Sequence, residues 1–180
     1  RTNDLSGNSV AVPSSHAALR TIIRSDDQAF PWFAPAGTRR GLLDNVTSIG
    51  YVNSATGEFV VDNITEGVRD TLYSNRINPM TFINGYGLMN FGNKTRAAST
   101  SALDRINVAR LVGFLRRSLQ DFAAAFVFEP NDKITRDEMK EGIESILNDL
   151  VAKRGVFDYL VVCDETNNTA ARIDRSELYV

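Results

Sequence analysis

The sequence contains one cysteine, one histidine and no excess of positive charge. Each of these features argues against a class of function. A single cysteine, Cys163, excludes an intrachain disulfide and a zinc site built from several cysteines. Lysine and arginine number 20 against 22 acidic residues, so the net charge is −2, and without a basic cluster we do not expect nucleic acid as a main partner. The sequence contains no apolar run of about 18 residues and no signal-peptide pattern, so we expect no membrane insertion.

The composition that remains is that of an ordinary globular domain. Of the 180 residues, 43% are hydrophobic and 23% are charged. A chain of this length buries about 70% of its unfolded surface, which is enough for a real core. The first residue is Arg, and the last four residues end inside a strand-like pattern. We therefore expect an excised piece of a longer polypeptide.

Short elements are predicted at the start of the chain. Residues 1–9 are polar and are expected to form a loosely held lead-in. The apolar spacing from Ser14 to Ile23 predicts a short helix. Two prolines exclude a regular helix between Pro31 and Gly41, because each fixes its own φ and restricts the residue before it.

A hairpin, a helix and a strand are predicted next. Two β-prone runs, 46–52 and 58–61, flank turn residues and therefore predict a hairpin. Apolar residues then recur every four positions, which predicts a helix capped by Asp62 or Asn63. Asn84 and Gly85 form a turn into a short strand that ends at Phe91.

The first of two long helices follows Ser101 and Asp104, which have the spacing of a capping box. Six apolar residues then share about 100° of helical arc and predict a core-facing stripe: Val108, Leu111, Val112, Leu115, Leu119 and Phe122. Four arginines lie off this stripe and form a basic surface that is either solvated or a subunit contact: Arg105, Arg110, Arg116 and Arg117.

The second long helix follows Thr135 and Glu138, which form another capping box, and is expected to end at Gly155. Its apolar stripe consists of Met139, Ile143, Ile146, Leu147, Leu150 and Val151. Its outward face carries charges of both signs: Arg136, Asp137, Lys140, Glu141 and Glu144.

The C-terminal part predicts strands. Residues 157–163 are almost continuously apolar, which indicates a strand covered on both faces. A turn is expected at 164–168, and 170–173 and 178–180 are further strand candidates. Helices alternate with short strands, so we predict an α+β fold that resembles the α/β class, with a mixed β-sheet flanked by helices.

Little in the sequence points to catalysis. His16 is the only histidine, so a nucleophile activated by histidine would need it, yet it lies in a polar region. Asp164 follows an apolar run, the position where α/β folds place phosphate and metal chemistry. Turn formation by Asp and Asn side chains is the better explanation for Asp164. A small phosphate- or metal-binding α/β domain centred on Asp164 stays as the alternative.

Seven sequence blocks without a chemical explanation occur in a distinctive order. They are PWFAPAGTRRG from Pro31, RDTLYSNRINPM from Arg69, GYGLMNFGNKT from Gly85, SALDRINVARL from Ser101, FEPND from Phe128, VVCDETNNT from Val161 and IDRSELYV from Ile173. In this order they resemble the C-terminal region of contractile tail sheath proteins of bacteriophages. The resemblance extends from about residue 22 to residue 180, and the DRIN and TNNT portions are its most distinctive parts.

This resemblance implies a mechanical role with no catalytic residue, cofactor or metal. Sheath subunits of this family assemble in the host cytoplasm as a helical homo-oligomer around the tail tube of the virion. Triggered by the baseplate, the sheath contracts and drives the tube through the host envelope for genome ejection; the tail terminator is a further expected partner. Terminal arms of neighbouring subunits complete the sheet by adding strands. A tailocin or type VI secretion sheath is the alternative within the same class.

The resemblance also assigns surfaces and boundaries. By analogy with tailocin sheaths, the helix after FEPND attaches to the tube, so the tube-facing residues are expected to be Arg136, Asp137, Lys140, Glu141 and Glu144. Residues 1–21 would be a polar lead-in with a short helix that links to a preceding domain. Residues 22–180 would be the sheath C-terminal domain, with its C-terminal arm cut short.

Overall fold

The computed structural model describes all 180 residues and divides them into two compact units, Arg1–Arg110 and Leu111–Val180. Six α-helices and three two-stranded antiparallel sheets confirm the predicted α+β class. The predicted mixed sheet is corrected: every sheet is antiparallel and none has more than two strands. No helix is both long enough and apolar enough to cross a membrane.

The first unit contains three helices and three hairpins. The helices are α1 (Ser14–Gln28), α2 (Gly37–Arg40) and α3 (Glu66–Ser74). The hairpins pair β1 (Thr2–Asn3) with β2 (Ser9–Val10), β3 (Gly50–Val52) with β4 (Phe59–Val61), and β5 (Met80–Ile83) with β6 (Gly87–Asn90). The predicted hairpin at 46–61 and the strand before Phe91 are therefore confirmed, and α1 extends five residues past the predicted helix.

Three predictions for this unit are wrong. The lead-in is an ordered hairpin, because the Asp4 carboxylate accepts the N–H groups of Ser6 and Asn8 and closes the turn. The proline-rich stretch contains the short helix α2. Proline does not prevent this helix, because it begins after Pro35. Helix α3 begins at Glu66, with Thr65 and not Asp62 or Asn63 at the N-cap position.

The core of the first unit packs the proline-rich loop against β6. Trp32 is 6% exposed and stacks on Phe30 with ring centroids 4.9 Å apart. Met89 on β6 is 1% exposed. The neighbouring Asn90 donates from Nδ2 to the Pro35 carbonyl at 2.9 Å and so fixes the loop. The aromatic residues of PWFAPAG are thus a core element.

Gly92 is a position where a side chain cannot fit. A Cβ there would lie 2.5 Å from Asn78 Oδ1 and 2.7 Å from its Cα. The Asn78 carboxamide donates to the Lys94 carbonyl and accepts its N–H, both at 2.8 Å. We expect Gly92→Ala to lower the free energy of unfolding by about 1–3 kcal/mol, because overpacking breaks this pairing.

Denaturant unfolding followed by Trp32 fluorescence measures this loss. Gly113→Ala is the matched control, since a Cβ at Gly113 would meet nothing within 4 Å and alanine favours a helix. A Gly92→Ala protein as stable as the wild type would contradict the packing described.

The second unit contains the end of α4 (Ile106–Ala123), all of α5 (Lys133–Ala152) and α6 (Ala170–Ile173). The two predicted apolar stripes meet: Met139, Ile143 and Val161 form a buried cluster. Partly buried residues pack around it, namely Leu119, Phe122, Phe126, Leu147, Tyr159 and Leu178. Both long helices are therefore confirmed. The second stripe also supplies Leu150, which is 1% exposed.

The predicted capping boxes are wrong in both helices. Residues 102–104 form a 3₁₀ turn before α4, Ser101 makes no capping hydrogen bond, and Asp104 is buried. Helix α5 is capped by Asp132, whose Oδ1 accepts the Thr135 N–H at 2.9 Å. The helix therefore begins two residues before the predicted cap.

The residue that ends α5 also differs from the prediction. Arg154, with φ of 63°, takes the left-handed position expected of Gly155. The N–H of Gly155 donates to the Leu150 carbonyl at 2.7 Å, and that of Arg154 to the Val151 carbonyl at 3.0 Å. This pair of bonds is a Schellman motif, which satisfies the last carbonyls of the helix.

The strands predicted in the C-terminal part do not form within this chain. Residues 158–163 run without turn or bend but have no strand partner. Residues 170–173 form α6 and are not a strand. Residues 178–180 also lack a strand partner, whereas the predicted turn after Cys163 is present.

Candidate assembly site

Two segments of the second unit, 158–163 and 177–180, have unpaired backbone groups and are called the open segments below. The N–H groups of Leu160, Val161 and Val162 make no hydrogen bond within the chain, and neither do those of Leu178 and Val180. Unpaired backbone donors that are shielded from water are costly, so folded proteins nearly always pair them. The open segments are therefore stretches without turn or bend in which several backbone donors have no partner within the chain.

Side-chain burial along the first open segment alternates as in a strand. Val161 and Cys163 are 7% and 2% exposed, and Tyr159 packs on the core cluster. Leu160 points the other way and is 85% exposed. Burial raises the pKa of the Cys163 thiol, which keeps it protonated and unreactive. The segment thus rests one face on the core and leaves the other face uncovered.

An apolar groove of about 650 Å³ lies beside the open segments. Its walls come from α4, α5 and both open segments: Val112, Leu115, Arg116, Leu119, Gln120, Ala123, Met139, Ile143, Leu147, Leu160, Val161, Val162 and Val180. The stripe of α4 is therefore only partly buried, and Leu115 lines the groove instead of the core. Apolar walls beside unpaired backbone groups are the features that an added strand requires.

Asparagine side chains hold the second open segment. Asn168 is 1% exposed, and its Oδ1 accepts the Tyr179 N–H at 2.8 Å while its Nδ2 donates to the Tyr179 carbonyl at 2.8 Å. Asn167 donates to the carbonyls of Val162 at 2.6 Å and Tyr179 at 3.0 Å. Asn131 donates to the Glu177 carbonyl at 2.8 Å. These three asparagines, called the asparagine clasp below, connect the FEPND, VVCDETNNT and IDRSELYV blocks.

The predicted tube-facing residues divide into two groups. Arg136 is 6% exposed and donates to Asn131 Oδ1 at 2.9 Å, so it braces the clasp and does not lie on the outward face. The others lie on the outer side of α5: Asp137, Lys140, Glu141 and Glu144. Lys140 pairs with Glu144 at 4.0 Å, and Lys133 pairs with Asp137. Asp137, Lys140 and Glu144 are therefore already paired along the helix.

The four arginines associated with α4 do not form one surface. Arg110 pairs with Asp26 of α1 and is partly buried. Arg105 contacts Asp104 at 3.1 Å and donates to the Tyr73 hydroxyl at 2.7 Å. Of the four, Arg116 and Arg117 are exposed and form no ion pair. The predicted basic surface is therefore reduced to this pair.

Asp164 closes a turn. Its Oδ1 accepts the N–H and the hydroxyl of Thr166, and these hydrogen bonds hold the pKa of the carboxyl below its ordinary range. No group of three potential metal ligands surrounds it. Because the carboxylate is already used by the turn, the phosphate- or metal-binding alternative is not favoured.

The cap of α5 makes a pH-dependent contribution to stability. The hydrogen bond from the Thr135 N–H lowers the pKa of Asp132, so the folded state favours the ionised carboxylate. Its contribution is present above the unfolded value, about pH 4, and is lost as the pH falls through the folded value. We expect Asp132→Asn, which keeps a capping side chain, to lose less stability on acidification than the wild type.

Urea unfolding at about pH 7 and about pH 3 measures this difference. Asp121→Asn is the control, because it removes an exposed carboxylate of α4 that caps no helix. Equal acid sensitivity of Asp132→Asn and the wild type would contradict the assignment of the cap.

A comparison of folds defines the class of this chain. The PVC sheath complex of an extracellular contractile injection system, solved in its contracted state, superposes with a TM-score of 0.80 at 17% identity. The match covers 99% of this chain and 48% of that chain. The chain therefore has the fold of contractile-sheath proteins.

Sequence comparisons show which proteins this chain is similar to. Residues 98–180 match the model of the phage tail sheath C-terminal domain. The tail sheath protein of Vibrio phage KVP40 is 37% identical over 153 residues, which cover 85% of this chain and 21% of that protein. That of Enterobacteria phage T4 is 34% identical over 154 residues, which cover 86% and 22%. Residues 98–180 thus match the phage tail sheath C-terminal domain, and the resemblance to contractile tail sheath proteins is confirmed. The chain spans about a fifth of these relatives' length.

Sequence reasoning missed the asparagine clasp. Asn131, Asn167 and Asn168 were part of the blocks that carried the resemblance, but only turn formation was assigned to the asparagines after Asp164. The available signal was the adjacent pair of asparagines shortly before a short apolar segment. Such a pair can turn the chain and also hydrogen-bond to the backbone of the segment that returns.

Proposed function

We propose that this chain is part of a structural subunit of a contractile tail sheath, a component of a phage virion without enzymatic activity. The subunits would form a helical homo-oligomer around the tail tube and contract to drive the tube through the host envelope. The family match supports this proposal, and the unpaired backbone of the open segments carries it.

The chemistry of the open segments favours a strand as the partner. An extended peptide would pair with the alternate free N–H groups of residues 160–162 that face one edge of the segment and would place alternate side chains in the apolar groove. We infer that terminal arms of neighbouring sheath subunits supply this peptide. A contact between two different surfaces of identical subunits produces a closed ring when the rotation closes and a helical assembly when it does not.

The outer side of α5 is the proposed contact with the tail tube. Asp137, Lys140, Glu141 and Glu144 are the candidates, and Arg136 is no longer among them because it is buried. Ion pairs four residues apart on a helix contribute about 0.3–0.5 kcal/mol each, so they can exchange partners at little cost. Such a surface suits a contact that must hold and then release. Baseplate and terminator proteins are the further proposed partners.

A tailocin-type or other contractile injection sheath belongs to the same mechanical class. The superposition with an injection-system sheath supports it as the second candidate. Both candidates use the same strand exchange, so the genes encoded nearby distinguish them: capsid genes favour a phage, and their absence favours an injection system.

Electron microscopy tests the proposed function. The complete polypeptide that carries this chain, expressed without a tube protein, should form hollow, striated cylinders. The same preparation should show no cylinders when it carries Leu160→Pro, which leaves the core residues Tyr159, Val161 and Cys163 in place. Dispersed protein under all assembly conditions, including the presence of the tube protein, would contradict the proposal.

A further inference from the structure

We propose that Asn168 is a positioning residue for assembly: its carboxamide stands in for a strand and holds residues 177–180 ready to accept a neighbouring subunit. This inference rests on the proposed function for the identity of the partner. It goes further because it proposes that one buried side chain holds the conformation of the segment that the partner contacts.

The carboxamide of Asn168 pairs with Tyr179 as a strand residue would. Asn168 accepts the Tyr179 N–H and donates to the Tyr179 carbonyl, with both distances at 2.8 Å. In an antiparallel sheet, the two residues of a hydrogen-bonded pair exchange both N–H···O bonds in the same way. One side chain therefore supplies the pairing that a neighbouring strand would otherwise give to Tyr179.

This pairing determines which edge of residues 177–180 stays open. Along a strand, the backbone groups of successive residues point to opposite edges. The groups of Leu178 and Val180 therefore point away from the edge that Asn168 occupies, and their N–H groups make no hydrogen bond within the chain. An incoming strand meets a single available edge, which fixes its side of approach.

The clasp is itself fixed by its surroundings. Asn168 Oδ1 also lies 3.3 Å from Asn131 Nδ2, and its Nδ2 lies 3.2 Å from the Asp164 carbonyl. Asn167 bridges the carbonyls of Val162 and Tyr179, so it links the two open segments to each other. Rotation of a buried amide with these partners would leave polar groups unsatisfied. The segment is thus ordered before the partner arrives, which lowers the entropic cost of binding.

Asn168→Asp is the most direct test, because it keeps the shape and replaces the donor by an oxygen that faces the Tyr179 carbonyl. In the 180-residue chain, we expect the Tyr179 amide to exchange with deuterium at least about tenfold faster, as for the loss of one or two hydrogen bonds. The core amides of Ile143 and Leu150 should keep their protection. Asn148→Asp, on the exposed side of α5, makes the same chemical change away from the clasp and should alter nothing.

A second variant covers the case in which Asn168→Asp does not fold. Asn167→Ala removes the bridge between the open segments at a half-buried position and leaves the Asn168–Tyr179 pairing in place. It should accelerate exchange at Tyr179 by a smaller factor. Unchanged exchange at Tyr179 in the folded variants would overturn the proposal.

The assembly readout separates this inference from the proposed function. In the complete polypeptide, Asn168→Asp should reduce the sedimentable fraction of sheath at least about tenfold, while Asn148→Asp assembles normally. Faster exchange at Tyr179 with normal assembly would overturn the positioning role. If the wild type formed no sheath, the proposed function would fail, and the exchange at Tyr179 would still decide whether the clasp orders the segment.

Discussion

Replacing Leu160 by Pro should abolish sheath assembly and leave the isolated chain folded. The Leu160 N–H makes no hydrogen bond within the chain, and its side chain is 85% exposed, so proline removes no internal hydrogen bond and little buried surface. Within a paired strand the same substitution deletes a ladder hydrogen bond and places the ring against the partner backbone. The effect should therefore appear only when another chain pairs with this segment.

Leu160→Thr is the matched control, because threonine is also smaller and less apolar but keeps the N–H and favours strands. Thermal unfolding of the 180-residue chain should be the same for the wild type and both variants. Sedimentation of the complete polypeptide should then separate them, with proline giving no cylinders and threonine giving cylinders. Cylinders formed by Leu160→Pro would refute pairing at this segment.

The largest expected loss of stability follows Leu150→Ala. Leu150 is 1% exposed near the end of α5, and its truncation leaves a cavity that costs about 2–5 kcal/mol. Leu115→Ala should cost less than about half as much in the isolated chain, since Leu115 lines the groove and is only partly buried. In the assembly the difference between the two losses should narrow, because the partner strand covers Leu115.

Urea unfolding followed by far-ultraviolet circular dichroism measures both losses in the isolated chain. Leu150→Met, which nearly conserves volume, is the control and should cost less than about 1.5 kcal/mol. Equal losses for Leu150→Ala and Leu115→Ala would show that the groove wall is part of the core.

The long helices could be predicted because their stripes pack on each other within the same chain. Met139 and Ile143 recur at helical spacing and form the buried cluster, as the periodicity indicated. The caps could not be placed as well, because several polar residues near a helix start have suitable spacing. Asp and Thr are both common at the N-cap position, so Asp132 and Thr135 were both candidates. In the structure Asp132 is the N-cap.

The open segment 158–163, which was predicted as part of a strand, shows a physical limit of local sequence patterns. A continuous apolar run indicates that both faces become covered, but it does not indicate which chain covers them. The resemblance to sheath proteins supplied the idea of donated arms, and the structure locates the unpaired backbone groups. Arg136 and Asn168 could not be assigned from the sequence, because their burial depends on contacts with Asn131 and Tyr179 formed only in the fold.

Hydrogen–deuterium exchange of the amides of residues 160–162 tests the central claim most directly. The claim predicts rapid exchange in the dispersed chain, where these groups are unpaired, and strong protection in assembled sheath at the alternate amides that face the added strand. The amides of α5 serve as the internal reference, since they are bonded in both states. Rapid exchange at 160–162 in the assembled sheath would contradict strand completion between subunits.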